Sequence, residues 1–382
     1  MNAPIYLDYN ATTPVAPEVI DAMLPFLREH FGNPSSSHVY GLSARQAVAK
    51  ARASVAALIH AHDDEIVFTG SATEANNLAL LGVARALGYT KRHLVVSSIE
   101  HPAVMQPAQY LREMGWDLTV VPVDGYGYVD PNAVVSAIRA DTGLVSIMHA
   151  NNEVGTIQPI AEIARLIKHT GVLLHTDAAQ SAGKVELDVD VLGVDLLTLA
   201  GHKFYATKGV GALYVRKGTP IKPILFGADQ EYGMRPGTEN VPLVVGLGAA
   251  ARLARERLPM ATAKLRTLRD ALHERLAAAV SGLVLNGHPT ERLPNTLHVS
   301  FPGIIGRELL SHVAGQVAAS VGSACHSEMD EVSGVLAAMG CEADRARGAV
   351  RLSVGWMSTP EEIRAAATAL SEGVNDLLIR RR

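Results

Sequence analysis

The sequence predicts an α/β protein, a large domain built on a mostly parallel sheet covered by helices on both faces and joined to a smaller α+β domain. Three observations predict it. Between residues 65 and 215 short apolar runs alternate with helical stretches, and the runs are apolar on both faces, as strands of a doubly covered sheet are. Near Val241 the pattern changes to a long Ala- and Arg-rich helix. The strands are EIVFT (65–69), HLVVSS (93–98), LTVVPV (118–123), LVSIMHA (144–150), VLLHTD (172–177), DLLTLA (195–200) and GALYV (211–215). Helical patterns fall at 74–87, 104–114, 131–140 and 160–169. The helix over 241–280 reads as interrupted by Pro259 and as passing from one domain into the other. Beyond it LPNTLHVSF (293–301) and VRLSVG (350–355) are strand-like, and the final helix is announced by Thr359 as N-cap, Pro360 behind it and Glu362 closing a capping box. Residues 15–255 form the expected large domain, and 1–14 with 256–382 the small one. No internal repeat or low-complexity linker is present.

Composition narrows the function classes. The chain has 382 residues, 48% hydrophobic and 19% charged, with a formal net charge of −4, values typical of a soluble globular protein. No basic run precedes Arg380, Arg381 and Arg382, so no nucleic-acid partner is expected, and those arginines suit a solvated helix end. The two cysteines, Cys325 and Cys341, make no disulfide framework and fit a reducing compartment. The N-terminus lacks a basic and apolar leader, and no apolar run reaches membrane-spanning length. A cytoplasmic, soluble protein without a membrane partner or metal site is expected.

Chemistry concentrates where the strands stop, which is where ligands sit in open α/β sheets. The strand ending in Asp177 and the next, running into Gly201-His202-Lys203, place a carboxylate and an amine at neighbouring strand ends. Pyridoxal phosphate (PLP) requires such a pair, an acid on the pyridine nitrogen and a lysine that carries the cofactor covalently. The same residues could also be an ordinary Asp–Lys pair at a sheet edge. Ser71-Ala72-Thr73-Glu74 opens a helix after a strand, and its free N–H groups suit a phosphate, with Ala72 and Thr73 as donors; alone it is equally a plain N-cap. His101 follows another strand, where an imidazole could stack on a ring and shuttle protons or simply be hydrogen-bonded. Asn151 and Asn152 end the 144–150 run, and Gln180 and His202 are placed to line the same crevice. Cys325 lies in VGSACHSEM, a segment without apolar periodicity that reads as an exposed loop. Its thiol beside His326 is either a nucleophile of lowered pKa or an inert free thiol.

Ten ordered segments carry a resemblance: YLDYNATTP (6–14), FGNPSSSH (31–38), SATEANN (71–77), EHPAV (100–104), NNEVG (151–155), HTDAAQ (175–180), GHKFY (201–205), RPGTEN (235–240), SVGSACHS (320–327) and RLSVG (351–355). Together they span nearly the whole chain. The sequence resembles the cysteine desulfurase and selenocysteine lyase family of PLP enzymes, with RPGTEN and SVGSACHS closer to the lyase branch. The resemblance implies the type I, aspartate aminotransferase-like PLP fold. It implies Lys203 as the cofactor lysine, Asp177 as partner of the pyridine nitrogen, Gln180 on the phenolic oxygen and His101 on the ring. Thr73 and His202 would hold the phosphate, joined by Thr238 from the other subunit of a homodimer. Asn152 and Arg351 would bind the substrate carboxylate. Cys325 would take sulfur from L-cysteine as a persulfide, release alanine and pass the sulfur to an acceptor protein. Two departures bear on cofactor affinity: Ala200 stands where many relatives have a phosphate-binding serine, and Ala206-Thr207 replaces a Gly-Pro turn. Three functions remain open: a desulfurase, a lyase acting on L-selenocysteine, and an inactive scaffold. The intact Lys203, Asp177, His101 and Cys325 weigh against the last, and a loop cysteine has no use in a plain aminotransferase.

Overall fold

The computed structural model describes residues 3–322 and 333–381. Cys325 and His326 therefore lie outside the described residues. The strands are β1 (Ile5–Tyr6), β2 (Ile66–Thr69), β3 (His93–Ser97), β4 (Asp117–Val121), β5 (Thr142–Ser146), β6 (Leu173–Asp177), β7 (Leu196–Ala200), β8 (Gly211–Val215), β9 (Val284–Leu285), β10 (Thr296–Ser300), β11 (Val317–Ala318) and β12 (Ala349–Ser353). Seven of them form one sheet in the order β2-β8-β7-β6-β5-β3-β4. From β7 to β4 neighbours run parallel, while β8 is antiparallel to both β2 and β7. The segment 201–210 returns directly beside the strand it left, and a direct return of that kind produces an antiparallel pair.

Helices cover both faces because alternate strand residues point opposite ways. Val67, Leu94, Val96, Leu144, Leu196 and Leu213 join one buried cluster with α3 (Ala72–Leu87) and α4 (Pro102–Glu113). Their neighbours Ile66, Phe68, Val95, Val145, Leu197 and Leu199 face the opposite cluster. That cluster is closed by α1 (Pro17–Arg28), α2 (Val39–Leu58), α5 (Pro131–Ala137), α6 (Ile160–Ile167), α7 (Val189–Leu192) and the first half of α8 (Val241–Ala279).

The second half of α8 supplies Leu265, Leu268, Leu272 and Leu276 to another cluster, which includes Leu7, β10, β12 and the C-terminal helix Pro360–Arg380. There β10 lies between β12 and β9, antiparallel to both, and β1 pairs with β11. One sequence expectation is corrected here: α8 runs unbroken through Pro259. The proline removes one N–H, but it and Arg255 face solvent, so water can reach the released carbonyl. The Thr359–Glu362 capping box is present as the sequence predicts. Among the described residues no helix is long and apolar enough to cross a membrane.

Candidate active site

At the carboxyl ends of β2, β3, β5, β6 and β7 a cavity of about 300 Å³ opens, lined by Thr73, His101, Asn152, Asp177, Gln180 and Lys203 among others. The turn after β2 is built first. Ser71 Oγ accepts the Glu74 N–H at 3.1 Å, capping α3 and leaving the Ala72 and Thr73 N–H groups at its open first turn. Glu74 Oε2 accepts from Gly70 N at 2.8 Å, and Arg235 Nε donates to Glu74 Oε1 at 2.7 Å, bracing the turn from outside. β8 passes directly behind it. A Cβ on Gly211 would sit 2.7 Å from the Ser71 carbonyl carbon and 2.9 Å from the Ala72 nitrogen, so only glycine fits.

Asp177, the last residue of β6, is buried with both carboxylate oxygens held. Oδ2 accepts from Asn76 Nδ2 at 2.7 Å, and Oδ1 from the Ala179 N–H at 2.9 Å. Asn76 sits on α3 one turn after its Ala72–Thr73 start, and its own Oδ1 is buried without a partner among the described residues. Lys203 closes the short turn after β7, and its Nζ donates to the carbonyls of Asn10 and Ala11 at 2.5 and 2.9 Å. The N-terminal segment thus crosses the cavity mouth. The residue after Phe204, Tyr205, holds a positive φ of 71°, kept there by a ring stack on Trp356 at 3.9 Å.

His101 caps α4 by accepting the Ala103 N–H on Nδ1 at 3.0 Å, which leaves Nε2 as the protonated ring nitrogen of the neutral form. Removal from bulk water lowers its pKa, with Asp177 opposing and Lys203 adding to the effect. His202 is pushed down to about 4 by burial and by nearby lysines, so near neutral pH it is an uncharged donor or acceptor. Arg351 donates through Nη2 to Asp8 Oδ1 at 2.7 Å and through Nη1 to the Asn152 carbonyl at 3.1 Å, while its buried Nε has no partner among the described residues. Thr238 is exposed and does not line this chain's own cavity, whereas Arg235 of the same segment reaches Glu74.

Behind His101 the Glu100 carboxyl is fully buried. Ser97 Oγ donates to its Oε1 at 2.5 Å, the Met148 N–H donates to the same oxygen at 2.9 Å, and Oε2 has no partner among the described residues. Beyond Ser146 the Ile147 and His149 N–H groups still donate to the His175 and Asp177 carbonyls of β6 at 3.1 and 2.9 Å, while the Met148 N–H goes to Glu100. Burial raises the Glu100 pKa to about 8. An acid raised in the folded state stays protonated while the unfolded chain ionises, so it removes stability as pH climbs from about 4.5 to 8. Glu100→Gln keeps the Oε1 contacts without the charge. Its unfolding free energy from urea titration should match wild type near pH 5 and exceed it at pH 8, by up to about 1.4 kcal/mol per pH unit crossed. A constant gap between the two proteins would show that Glu100 does not titrate.

An open helix N-terminus for an anion, a fixed carboxylate, a lysine amine and an imidazole around one cavity are the donor set that PLP needs, and the residues present fit that group. A mostly parallel sheet with this site at its carboxyl edge is the type I fold of PLP enzymes. The class-V aminotransferase model matches residues 5–365. A cysteine desulfurase IscS of Dictyoglomus turgidum is 44% identical over 378 residues, covering 99% of this chain and 96% of the relative. One from Archaeoglobus fulgidus is 45% identical over 359 residues, 94% of each chain. A solved NifS-like protein superposes with a TM-score of 0.92 at 38% identity, covering 97% of this chain and 99% of that one. The structure of SspA in complex with cysteine gives a TM-score of 0.83 at 37% identity, covering 92% and 98%. The chain belongs to the class-V aminotransferase family, among its NifS-like cysteine desulfurases.

Proposed function

We propose that the protein is a PLP-dependent cysteine desulfurase that converts L-cysteine to L-alanine and carries the sulfur as a persulfide on Cys325. The observation that carries this reading is the convergence of Lys203, Asp177 and the α3 turn on one cavity in a chain of this family. When bound, PLP supplies an electron sink adjacent to the substrate Cα. Ala72, Thr73 and His202 would hold its phosphate, Asp177 its protonated nitrogen, Gln180 its phenolic oxygen and His101 its ring face. Arg351 and Asn152 orient the substrate carboxylate, and Arg351 Nε, without a partner among the described residues, is a donor for it. Lys203 takes the Cα proton, its Nζ steadied between two backbone carbonyls. The Cys325 thiolate attacks the substrate sulfur. The C–S bond breaks with its electron pair left on the substrate Cβ, Cβ gains a proton, Lys203 returns one to Cα, and alanine leaves. An acceptor protein then takes the persulfide sulfur. The purified protein given L-cysteine and a thiol reductant should form alanine and sulfide in equal amounts; no alanine from cysteine would sink the reading. Alanine from L-selenocysteine alone would favour the second reading, a selenocysteine lyase, for which the RPGTEN and SVGSACHS segments speak.

The reading includes a homodimer whose sites are each completed by Thr238 of the neighbouring chain, and a division into residues 15–255 and the remainder. Supporting the first are the exposure of Thr238 and exposed apolar side chains including Phe31 and Tyr40, whose rings stack at 5.5 Å, and Phe226. Supporting the second are the separate buried clusters at the two ends of α8. Mixing inactive Lys203→Ala chains with inactive Thr238→Asp chains, which keep the Arg235–Glu74 pair, should restore activity in hybrid dimers, since one of the two sites is then intact. Hybrids that form and stay inactive would mean that each site is built within one chain.

A further inference from the structure

Lys184 is a lysine that the reaction above does not use. It lies in the turn after β6, is 6% exposed, and no carboxylate pairs with it among the described residues. Its Nζ donates to the Gln180 backbone carbonyl at 2.8 Å and reaches the Gln180 side-chain Oε1 at 3.3 Å. On the other end of that amide, Gln180 Nε2 donates to the Asn10 carbonyl at 3.0 Å, the same carbonyl that accepts from Lys203 Nζ at 2.5 Å. A glutamine amide can be turned end for end at little cost in shape, so something must decide which end faces the cavity. An ammonium has donors only, and therefore selects the oxygen.

We propose that Lys184 is a positioning residue: its amine grips Gln180 Oε1 and so presents the Gln180 N–H₂ to the cavity and to the carbonyl that steadies Lys203. The proposal rests on the cofactor reading above, in which that N–H₂ serves the phenolic oxygen. Burial, with repulsion from Lys203 and Arg351, pushes Lys184 down to about 7. A neutral amine still has two N–H bonds for the two Gln180 oxygens, but its lone pair no longer excludes the amide N–H₂, so the selection is strongest for the ammonium. A buried ammonium without a carboxylate is costly to keep, and retention is intelligible if it holds a neighbour in place.

The test reads the bound cofactor and not turnover. The pH at which its visible absorption band titrates depends on hydrogen bonds to the phenolic oxygen. Removing a donor there should raise that midpoint, by about one pH unit for one hydrogen bond. Lys184→Met holoprotein should show this rise with unchanged circular dichroism, since an unpaired buried charge is replaced by a side chain of similar shape. Gln180→Leu should show the same rise, and Lys184→Met added to Gln180→Leu should add almost nothing. Lys184→Arg, which keeps donors, should lie near wild type. An unchanged midpoint in Lys184→Met overturns the proposal. Equal shifts in the wild-type and Gln180→Leu backgrounds overturn it too, because Lys184 would then act as a bare charge. Should Lys184→Met not fold, Gln180→Leu decides alone: no rise there means that the amide does not reach the phenolic oxygen. A wild type without any visible band removes the cofactor reading itself, a failure distinct from each of these.

Discussion

Lys203→Ala should yield protein that is colourless or holds PLP only loosely, has no bond that borohydride can fix, and turns over at least roughly a thousandfold more slowly than wild type. The loss follows from one atom doing two jobs, anchoring the cofactor and moving the Cα proton, and removal of a positioned proton-transfer group alone costs about 10²–10⁴ in rate. Stability should change little, since Lys203 is only half-buried and the Asn10 and Ala11 carbonyls that it touches lie at the open mouth of the cavity. Borohydride treatment of wild type followed by peptide mapping should place the reduced cofactor on Lys203. A label on Lys184, the other lysine near the cavity, would reverse the roles given to the two. Asp177→Ala is the informative companion. It should retain some cofactor through the α3 turn and Lys203 yet lose most activity, because an unprotonated pyridine is a poor electron sink.

The strands of the large sheet were legible because their pattern is local. Apolar runs of strand length punctuated by helices announce a covered sheet, and Asp177, His101 and Lys203 follow from where those runs stop. What stayed hidden depends on contacts far apart in sequence. Asn76 reads as one polar residue on a helix, and only the fold brings its amide 2.7 Å from Asp177. Arg351 and Asp8 are 343 positions apart, so nothing local pairs them. Asn10 sits in a resemblance-bearing segment, but its value lies in a backbone carbonyl, which no side-chain pattern can advertise. Lys184 looks like a solvated lysine in a polar turn until its burial is known. The unbroken α8 shows the converse, a local signal at Pro259 overruled by packing at both ends of the helix.

Cys325→Ala should abolish alanine formation from cysteine while leaving any activity on selenocysteine substantially intact. The two chalcogens differ in how the bond to carbon can break. A thiolate is a strong enough base to be a poor leaving group, so C–S cleavage needs a nucleophile that takes the sulfur as the bond opens, and the carbon keeps the electron pair. The C–Se bond is weaker and selenium the softer electrophile, so a free thiol in the assay can take the selenium while the carbon keeps the pair and becomes alanine, without Cys325. His101 should matter for both substrates, because proton handling beside the ring does not depend on the chalcogen; its Nδ1 is already committed to Ala103, leaving Nε2 for that work. Cys325 lies outside the described residues, and its role rests on the SVGSACHS segment and on the family to which the chain belongs. Alanine release measured on both substrates for wild type, Cys325→Ala and His101→Ala separates the possibilities. A Cys325→Ala protein that consumes cysteine at near wild-type rate would make Cys325 a bystander and require another sulfur acceptor. Cys341 is the other cysteine of the chain, but burial raises its thiol pKa and it packs beside the Ile99–Met339 cluster, so it is poorly suited to serve as that acceptor.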